Sequence, residues 1–496
     1  MTRPRPQHQH QHHQSQQEGK PKQRKDKTPN NPLVRGISAF YTEWQGRRCR
    51  IDPATATDDN ATFVPAPRHG EGDDPPLAAL AIADMPKRYT LYPPLLLLPP
   101  NFTAQNTRWT AFYDALDGCN KAELFRSIAE KGFKGMGISR IAINAPIAAE
   151  VEHEEDVEDA INFRGPVTTQ SATTWEQNVL RHPSGLVPVY GDWGPVLDER
   201  QHRGKILHPS TEDFDAAFWT SATQTQHHGI VQCWAPLYTM FSRGNVSEKA
   251  RILGLQSRFP GLTTAELHGQ LGLVDVVDFY VGIGYFASCY LSKGVRRVYG
   301  WDINPWSIEG LRRGCKGNGW RCLVLQVDET GSLQGSGGIK GMVEEIARGD
   351  RSGEADTIVR CVAFLGDNKW ARKILQEMQC EYERIGYNGG ETASRLNIRH
   401  ANLGLLPSAR LSWEDAVKIV TGLSEGGTGG WLHVHENVDM RKIDVIGERI
   451  VREIDGLAQR EARRPYAASG VHVEQVKTYA PGVMHCVFDV EIKPNG

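Results

Sequence analysis

The chain has 496 residues, too long for one ordinary hydrophobic core, and this predicts two domains with tails. With 39% hydrophobic residues, a net charge of -2 and a mean hydropathy of -0.46, it reads as globular, with no global pull toward nucleic acid. Its longest apolar run, Leu95 to Leu98, is fenced by prolines and far short of the roughly 20 residues that span a bilayer, so no membrane association is expected.

The nine cysteines are scattered without a CxxC pair, and no apolar core follows the basic N-terminus. That excludes a disulfide framework, a zinc ribbon and a secretory signal, and predicts a reducing, cytoplasmic setting with no metal site.

Residues 1–30 are rich in Gln, His, Lys and Pro and predict a disordered tail, in which His8, His10, His12 and His13 are low-complexity composition rather than a metal site. Residues 31–255 mix short strands and helices, predicting a smaller α+β domain. Leu91 to Leu98 reads as a strand, Trp109 to Lys131 as a helix through Phe112, Leu116, Leu124, Phe125 and Ile128, and Ser139 to Ile147 as another strand. The acidic run Glu150 to Asp159 reads as a solvated insertion, and Asp213 to Thr220 as a short helix.

Cys233 to Ile252 is the second anchor of the sequence. Asn245 and Glu248 have capping-box spacing, which starts a helix near Val246 and gathers Ser242, Arg243 and Lys249 at its N-terminus. Free N–H groups there favour an anion; the plainer alternatives are Ser242 as a cap and Lys249 as a solvated charge.

Residues 256–496 carry a βαβ pattern. Val274 to Phe279 is a Val-rich strand, Gly282 and Gly284 make a tight turn, and a helix begins at Tyr285. A second strand, Arg297 to Gly300, leads to Asp302, placed to accept from ribose hydroxyls, and Asn304-Pro305 opens a helix. GIGYFA also fits a dinucleotide fingerprint. Asp278 upstream, in D-x-x-x-G-x-G, favours S-adenosylmethionine instead.

Val327 to Asp356 reads as an insertion at the rim. Arg360 to Leu365 is a third strand ending on Asp367 and Asn368, where a carboxylate is placed either for an adenine amine or as a helix cap. His400 to Leu403 and Trp431 to Val434 are two further strands, and Gly470 to Ile492 is a hairpin around Ala480-Pro481-Gly482. His433 and His435 share a strand face, for packing or a polar contact rather than a metal; Cys289 and Cys315 read as buried thiols. Arg312, Arg313, Lys316 and Arg321 form either a basic patch or ordinary helix solvation. The expected fold class is α/β: a Rossmann-like class I S-adenosylmethionine-dependent transferase domain, its mostly parallel sheet ending in an antiparallel hairpin, behind the smaller α+β domain.

In order along the chain, WAPLYTMFSRGNVSEKARI (234–252), VDFYVGIGYF (277–286), DINP (302–305), GDNKW (366–370), NLGLLPS (402–408) and WLHVHENV (431–438) resemble the tRNA wybutosine-synthesising protein 2 family, particularly its fungal members. The resemblance implies transfer of the 3-amino-3-carboxypropyl group of S-adenosyl-L-methionine to a ring carbon of 4-demethylwyosine, beside the anticodon of tRNA(Phe). Methylthioadenosine would be released. It further implies Ser242 and Lys249 as ligands of the cofactor tail, Asp302 as the ribose acceptor, and Asp367 with Asn368 on the adenine side. Asn402 is expected to line the target-base pocket as the candidate catalytic residue; N-L-G-L stands where amino-methylating relatives carry N-P-P-[YF]. Asp302-Ile303 departs from a common Glu-Trp, keeping the carboxylate and losing a stacking ring. The competing expectations are a tRNA methyltransferase acting on the guanosine beside the anticodon and a nicotinamide oxidoreductase.

Overall fold

The computed structural model describes residues 30–48, 80–144, 186–195, 197, 199–222, 229–239, 245–263, 265–335, 337–389, 395–460 and 465–495. The N-terminal tail, the acidic run 150–159, Ser242 and Arg243 lie outside the described residues.

The first part comprises α1 (Pro32–Arg48), β1 (Thr90–Tyr92), β2 (Leu95–Leu98), α2 (Thr107–Asp114), α3 (Gly118–Ser127), β3 (Arg140–Ile143) and β4 (Val187–Tyr190). Its sheet has the order β1-β2-β3-β4. Leu91 to Leu98, read as one strand, is a hairpin, because Pro93 and Pro94 lack amide donors and turn the chain. The expected helix from Trp109 to Lys131 divides, since Ala115 closes α2 and the Asp117 carboxylate caps α3 by accepting from the Asn120 amide. Leu33, Val34, Ile37 and Phe40 of α1 join the core, and α1 crosses α3's C-terminal end closely: a Cβ on Gly36 would stand 2.6 Å from the Ile128 Cα.

Next come α4 (Glu199–Leu207), α5 (Thr211–Ala217), β5 (Thr220–Ala222), β6 (Gln232–Trp234) and α6 (Val246–Ile252). β5 and β6 pair antiparallel. Trp234 is buried and meets Tyr92 edge-on at 5.1 Å, joining β6 to the small sheet.

The large sheet is built from β7 (Asp275–Asp278), α7 (Ala287–Lys293), β8 (Arg297–Asp302), α8 (Pro305–Gly317), β9 (Arg321–Val327), β10 (Leu333–Gln334), α9 (Gly338–Ser352), β11 (Val359–Leu365), α10 (Ala371–Gly389), β12 (Ile398–Leu403), α11 (Trp413–Gly422), β13 (Gly430–Asp439), α12 (Ile443–Gln459), β14 (Tyr466–Ala480) and β15 (Val483–Pro494). Its order is β10-β9-β11-β8-β7-β12-β13-β15-β14. The strands from β9 to β13 along that order are parallel, and the hairpin β14–β15 closes the sheet antiparallel. Central strands covered on both faces need continuous apolar sequence, which Val276, Val277, Val298, Tyr299, Val362 and Phe364 provide. Burying each is worth about 1.5–3 kcal/mol before entropy is subtracted.

Two expectations change here. Arg321–Val327, an apolar run that the sequence reading did not assign, is a strand, with only Val327 fully buried. The segment 327–356 is more than a rim insertion: Met342, Val343, Ile346 and Ala347 of α9 are packed into the main core.

Beneath α6 lies a buried charged cluster. Arg251 donates to both oxygens of Glu248 at 2.8 Å and reaches the Asp489 carboxylate on β15 at 2.5 and 3.2 Å, all three groups being almost fully buried. Asp489 Oδ1 also meets His433 Nδ1 at 2.7 Å, and His433 Nε2 lies 2.9 Å from His400 Nδ1. His400 Nε2 donates to the Gly261 carbonyl at 3.2 Å, so its Nδ1 accepts from His433 Nε2–H. One proton is therefore left to be shared between His433 and Asp489, and the cluster closes to neutrality with Arg251 and Glu248. Arg251→Met should cost about 3–5 kcal/mol in urea unfolding, because it leaves Glu248 buried without its counter-charge and takes two hydrogen bonds from Asp489; a loss below 1 kcal/mol would contradict this pairing.

Candidate active site

The chain runs outward from β7 to β8 and then returns to β12 on β7's other side, which opens a crevice at the carboxyl ends of β7 and β12. Asp278 and Asn402 are register partners there, and Asn402 Nδ2 donates to Asp278 Oδ1 at 3.1 Å. Asp278 Oδ2 is buried without a hydrogen-bond partner. Burial pushes the Asp278 carboxyl up to about 7, against the Asn402 and Tyr280 hydrogen bonds that stabilise its charge.

The glycine turn follows. Gly282 and Gly284 adopt φ of +55° and +86°, and a Cβ on Gly284 would stand 2.6 Å from Leu311 Cδ1. Asp302, at the end of β8, accepts from the Gly282 amide at 3.0 Å and the Asn304 amide at 2.8 Å. Asn304 caps α8 by accepting from the Trp306 amide, with Pro305 at the first helical position. The acid thus holds the turn and the helix entry together.

The two sequence anchors meet through a residue the sequence reading missed. Gln232 on β6 donates to the Gly284 carbonyl at 3.1 Å and accepts from Lys249 Nζ at 2.9 Å. Lys249, on α6, is only 2% exposed and lies over the Tyr285 ring at 5.4 Å; burial pushes its ammonium down to about 8. The helix does start at Val246, but the capping box fails: Asn245 makes no side-chain cap bond, and the Glu248 carboxylate is committed to Arg251. With seven residues, α6 is also too short for its dipole to define an anion site, so a cation there acts as a side chain and not through the helix end. No pattern in the sequence marks Gln232; its role comes from β6 crossing beside the turn.

Asn368 Nδ2 donates to the Phe279 carbonyl at 2.8 Å and so sits at the end of β7. Asp367 caps a 3-10 turn by accepting from the Lys369 amide at 2.9 Å and pairs with Lys369 Nζ at 3.0 Å, the cap role left open by the sequence. His435 does not share a partner with His433: its Nδ1 lies 3.0 Å from His485 Nε2, and its ring meets Phe286 at 5.0 Å. Burial holds His435 well below its ordinary value, and no spacing marks His485 as its neighbour. Arg312, Arg313 and Arg321 are paired with Glu309, Asp215 and Glu345, which makes them ion-paired surface groups and removes the case for a free basic patch.

An unpartnered buried carboxylate oxygen, a turn that excludes side chains and a buried lysine beside it fit a ligand that combines a nucleoside with an amino-acid tail. Sheet order, glycine turn and acid at the second strand define a Rossmann-like transferase of the S-adenosylmethionine-dependent class. No family model matches the chain. The tRNA wybutosine-synthesizing protein 2 of Schizosaccharomyces pombe is 32% identical over 410 residues, covering 82% of this chain and 73% of that protein. Its namesake in Saccharomyces cerevisiae is 28% identical over 449 residues, covering 86% and 78%. The chain belongs to the tRNA wybutosine-synthesizing protein 2 family. Among solved structures, P. horikoshii TYW2 in complex with MeSAdo aligns over 83% of this chain and 93% of that one, at 15% identity and a TM-score of 0.40.

Asp278 offers a test of this geometry. Its raised folded pKa means that, between about pH 4 and pH 7, the folded protein keeps a proton the unfolded chain has lost, so its contribution to stability falls as pH rises through that window. Asp278→Asn cannot titrate. Its melting temperature relative to the parent should therefore rise from about pH 5 to about pH 8 in thermal unfolding without ligand; a difference that does not change with pH would refute the raised carboxyl.

Proposed function

We propose that this chain transfers the 3-amino-3-carboxypropyl group of S-adenosyl-L-methionine to a ring carbon of 4-demethylwyosine beside the anticodon of tRNA(Phe), leaving methylthioadenosine. The observation that carries the reading is the buried Lys249 held at the glycine turn through Gln232. When bound, S-adenosylmethionine supplies a sulfonium with three electrophilic carbons, and the carbon facing the base decides the product. A cation fixed on one side of the turn holds the tail carboxylate and presents the tail's methylene. Ser242 adds a hydroxyl to the same task.

Asp278 accepts from the tail's amino group with its unpartnered oxygen, and charging that carboxylate needs a cation of this kind beside it. Asp302, at the end of β8 beside the turn, accepts from the ribose hydroxyls, while Gly282 and Gly284 let the backbone approach. Asn368 and Asp367 border the adenine. Asn402, already bound to Asp278, joins the target-base pocket to the tail site, so it acts by positioning rather than by proton transfer.

An RNA partner is supported by a cavity of about 420 Å³ between the small sheet and the segment after β6, lined in part by Arg140, Trp193, Lys205, Trp219 and Tyr238. Arg140 stacks over Trp219 at 4.3 Å, a surface suited to bases and phosphates.

Two measurements test the reading. With tRNA(Phe) carrying 4-demethylwyosine, label in the carboxyl carbon of S-adenosylmethionine should enter the RNA and label in its methyl group should not; methyl label in RNA would establish the methyltransferase alternative. In calorimetry, Lys249→Ala should weaken S-adenosylmethionine binding by about 10–100-fold, the loss of a hydrogen bond to a charged group. A bound carboxylate raises the lysine's pKa and a bound ammonium lowers that of Asp278, so affinity of the parent should rise toward about pH 7 and fall above about pH 8, and the variant loses the fall above pH 8.

A further inference from the structure

Away from the crevice, three thiols converge. Cys315 is on α8, Cys322 on β9 and Cys361 on β11, and their Sγ atoms all lie within 4.8 Å of one another. The placement is set by backbone. Cys361 and Cys322 are register partners on adjacent parallel strands, so their side chains leave the same face, and α8 packs across that face with Cys315 turned toward them.

A tetrahedral zinc–thiolate centre, with Zn–S near 2.3 Å, holds its sulfurs about 3.8 Å apart. The three Sγ atoms, within 4.8 Å of one another, lie about 1 Å from that spacing. Cys315 and Cys361 are fully buried among Ile308, Leu311 and Ala363, while Cys322 is partly exposed, leaving an entry path and a side for a fourth, solvent ligand. The remaining buried thiols, Cys289 and Cys486, belong to no such group among the described residues.

The site also meets a structural need. β9 buries only Val327 fully, yet it carries β10 at the sheet's open edge. Hydrophobic burial is thin there, and a cross-link from β9 to α8 and β11 would supply the missing attachment. The CxxC spacing of a sequence-legible zinc site is absent because the three ligands come from three separate elements.

We propose that Cys315, Cys322 and Cys361 bind a thiophilic divalent cation, Zn²⁺, as three thiolates, each releasing its proton to solvent on binding, and that the ion anchors the β9–β10 edge. The inference does not depend on the proposed reaction.

The full chain, purified under reducing conditions and stripped of metal, is titrated with Zn²⁺ against a chromophoric chelator, and separately with Co²⁺. The parent should take up about one zinc per chain and give thiolate-to-cobalt charge-transfer absorption. Cys322→Ser should lose at least 100-fold in zinc affinity, Cys380→Ser, an exposed thiol on α10, should lose none, and zinc should raise the melting temperature of the parent but not of Cys322→Ser. Retained S-adenosylmethionine binding by Cys322→Ser shows that the variant folds. If it fails to fold, alkylation protection decides: zinc should shield these three cysteines, and not Cys119 or Cys380, from a thiol reagent in the parent. Zinc uptake equal in parent and Cys322→Ser, or no uptake and no shielding in the parent, would overturn the proposal.

Discussion

The burial of Arg251 between Glu248 and Asp489 is the constraint from which the site's geometry follows. A guanidinium with no access to water must keep both carboxylates, and this ties a seven-residue helix with little helix stability of its own to the hairpin that closes the sheet. Lys249 is two residues earlier on that helix, so the pairing that anchors α6 also sets where the lysine points. His433 and His400 extend the polar chain to the Gly261 carbonyl and satisfy the remaining acceptor of Asp489. The desolvation cost is carried by a cluster whose charges cancel.

From this anchor the crevice is completed by short polar links, each between elements distant in sequence. Gln232 joins the lysine to the glycine turn, Asp302 joins that turn to the second strand, Asn402 joins Asp278 to the strand across the switch point, and Asn368 ties in the third strand's end. Every link uses one end of a side chain to position another group, and Asp278 alone keeps a buried oxygen without a partner among these residues. That asymmetry favours a ligand with an ammonium and a carboxylate on one arm. It suits holding the tail of S-adenosylmethionine.

Legibility in the sequence tracked how local the physics was. The Val-rich strand, the glycines at positive φ, Asp302 about 20 residues on, Asn304 capping with Pro305 and the final hairpin are short-range features, and each is where the pattern placed it. The capping box at Asn245 failed for the opposite reason: Glu248 has a stronger partner, Arg251, whose burial depends on Asp489 more than 200 residues away. β9 is a short strand directly behind a helix, so its apolar run could equally continue that helix, and the glycine-rich flank of α9 hides an amphipathic helix.

By itself the sequence determined the class of sheet, its glycine turn and the acids that border it, since those depend on propensity, spacing and capping within a few residues. Only the tertiary structure decided that Gln232 bridges lysine and turn, that His435 meets His485 rather than His433, and that three cysteines from a helix and two strands share one place. Such contacts depend on strand order and helix crossing, and a linear spacing rule carries no information about either.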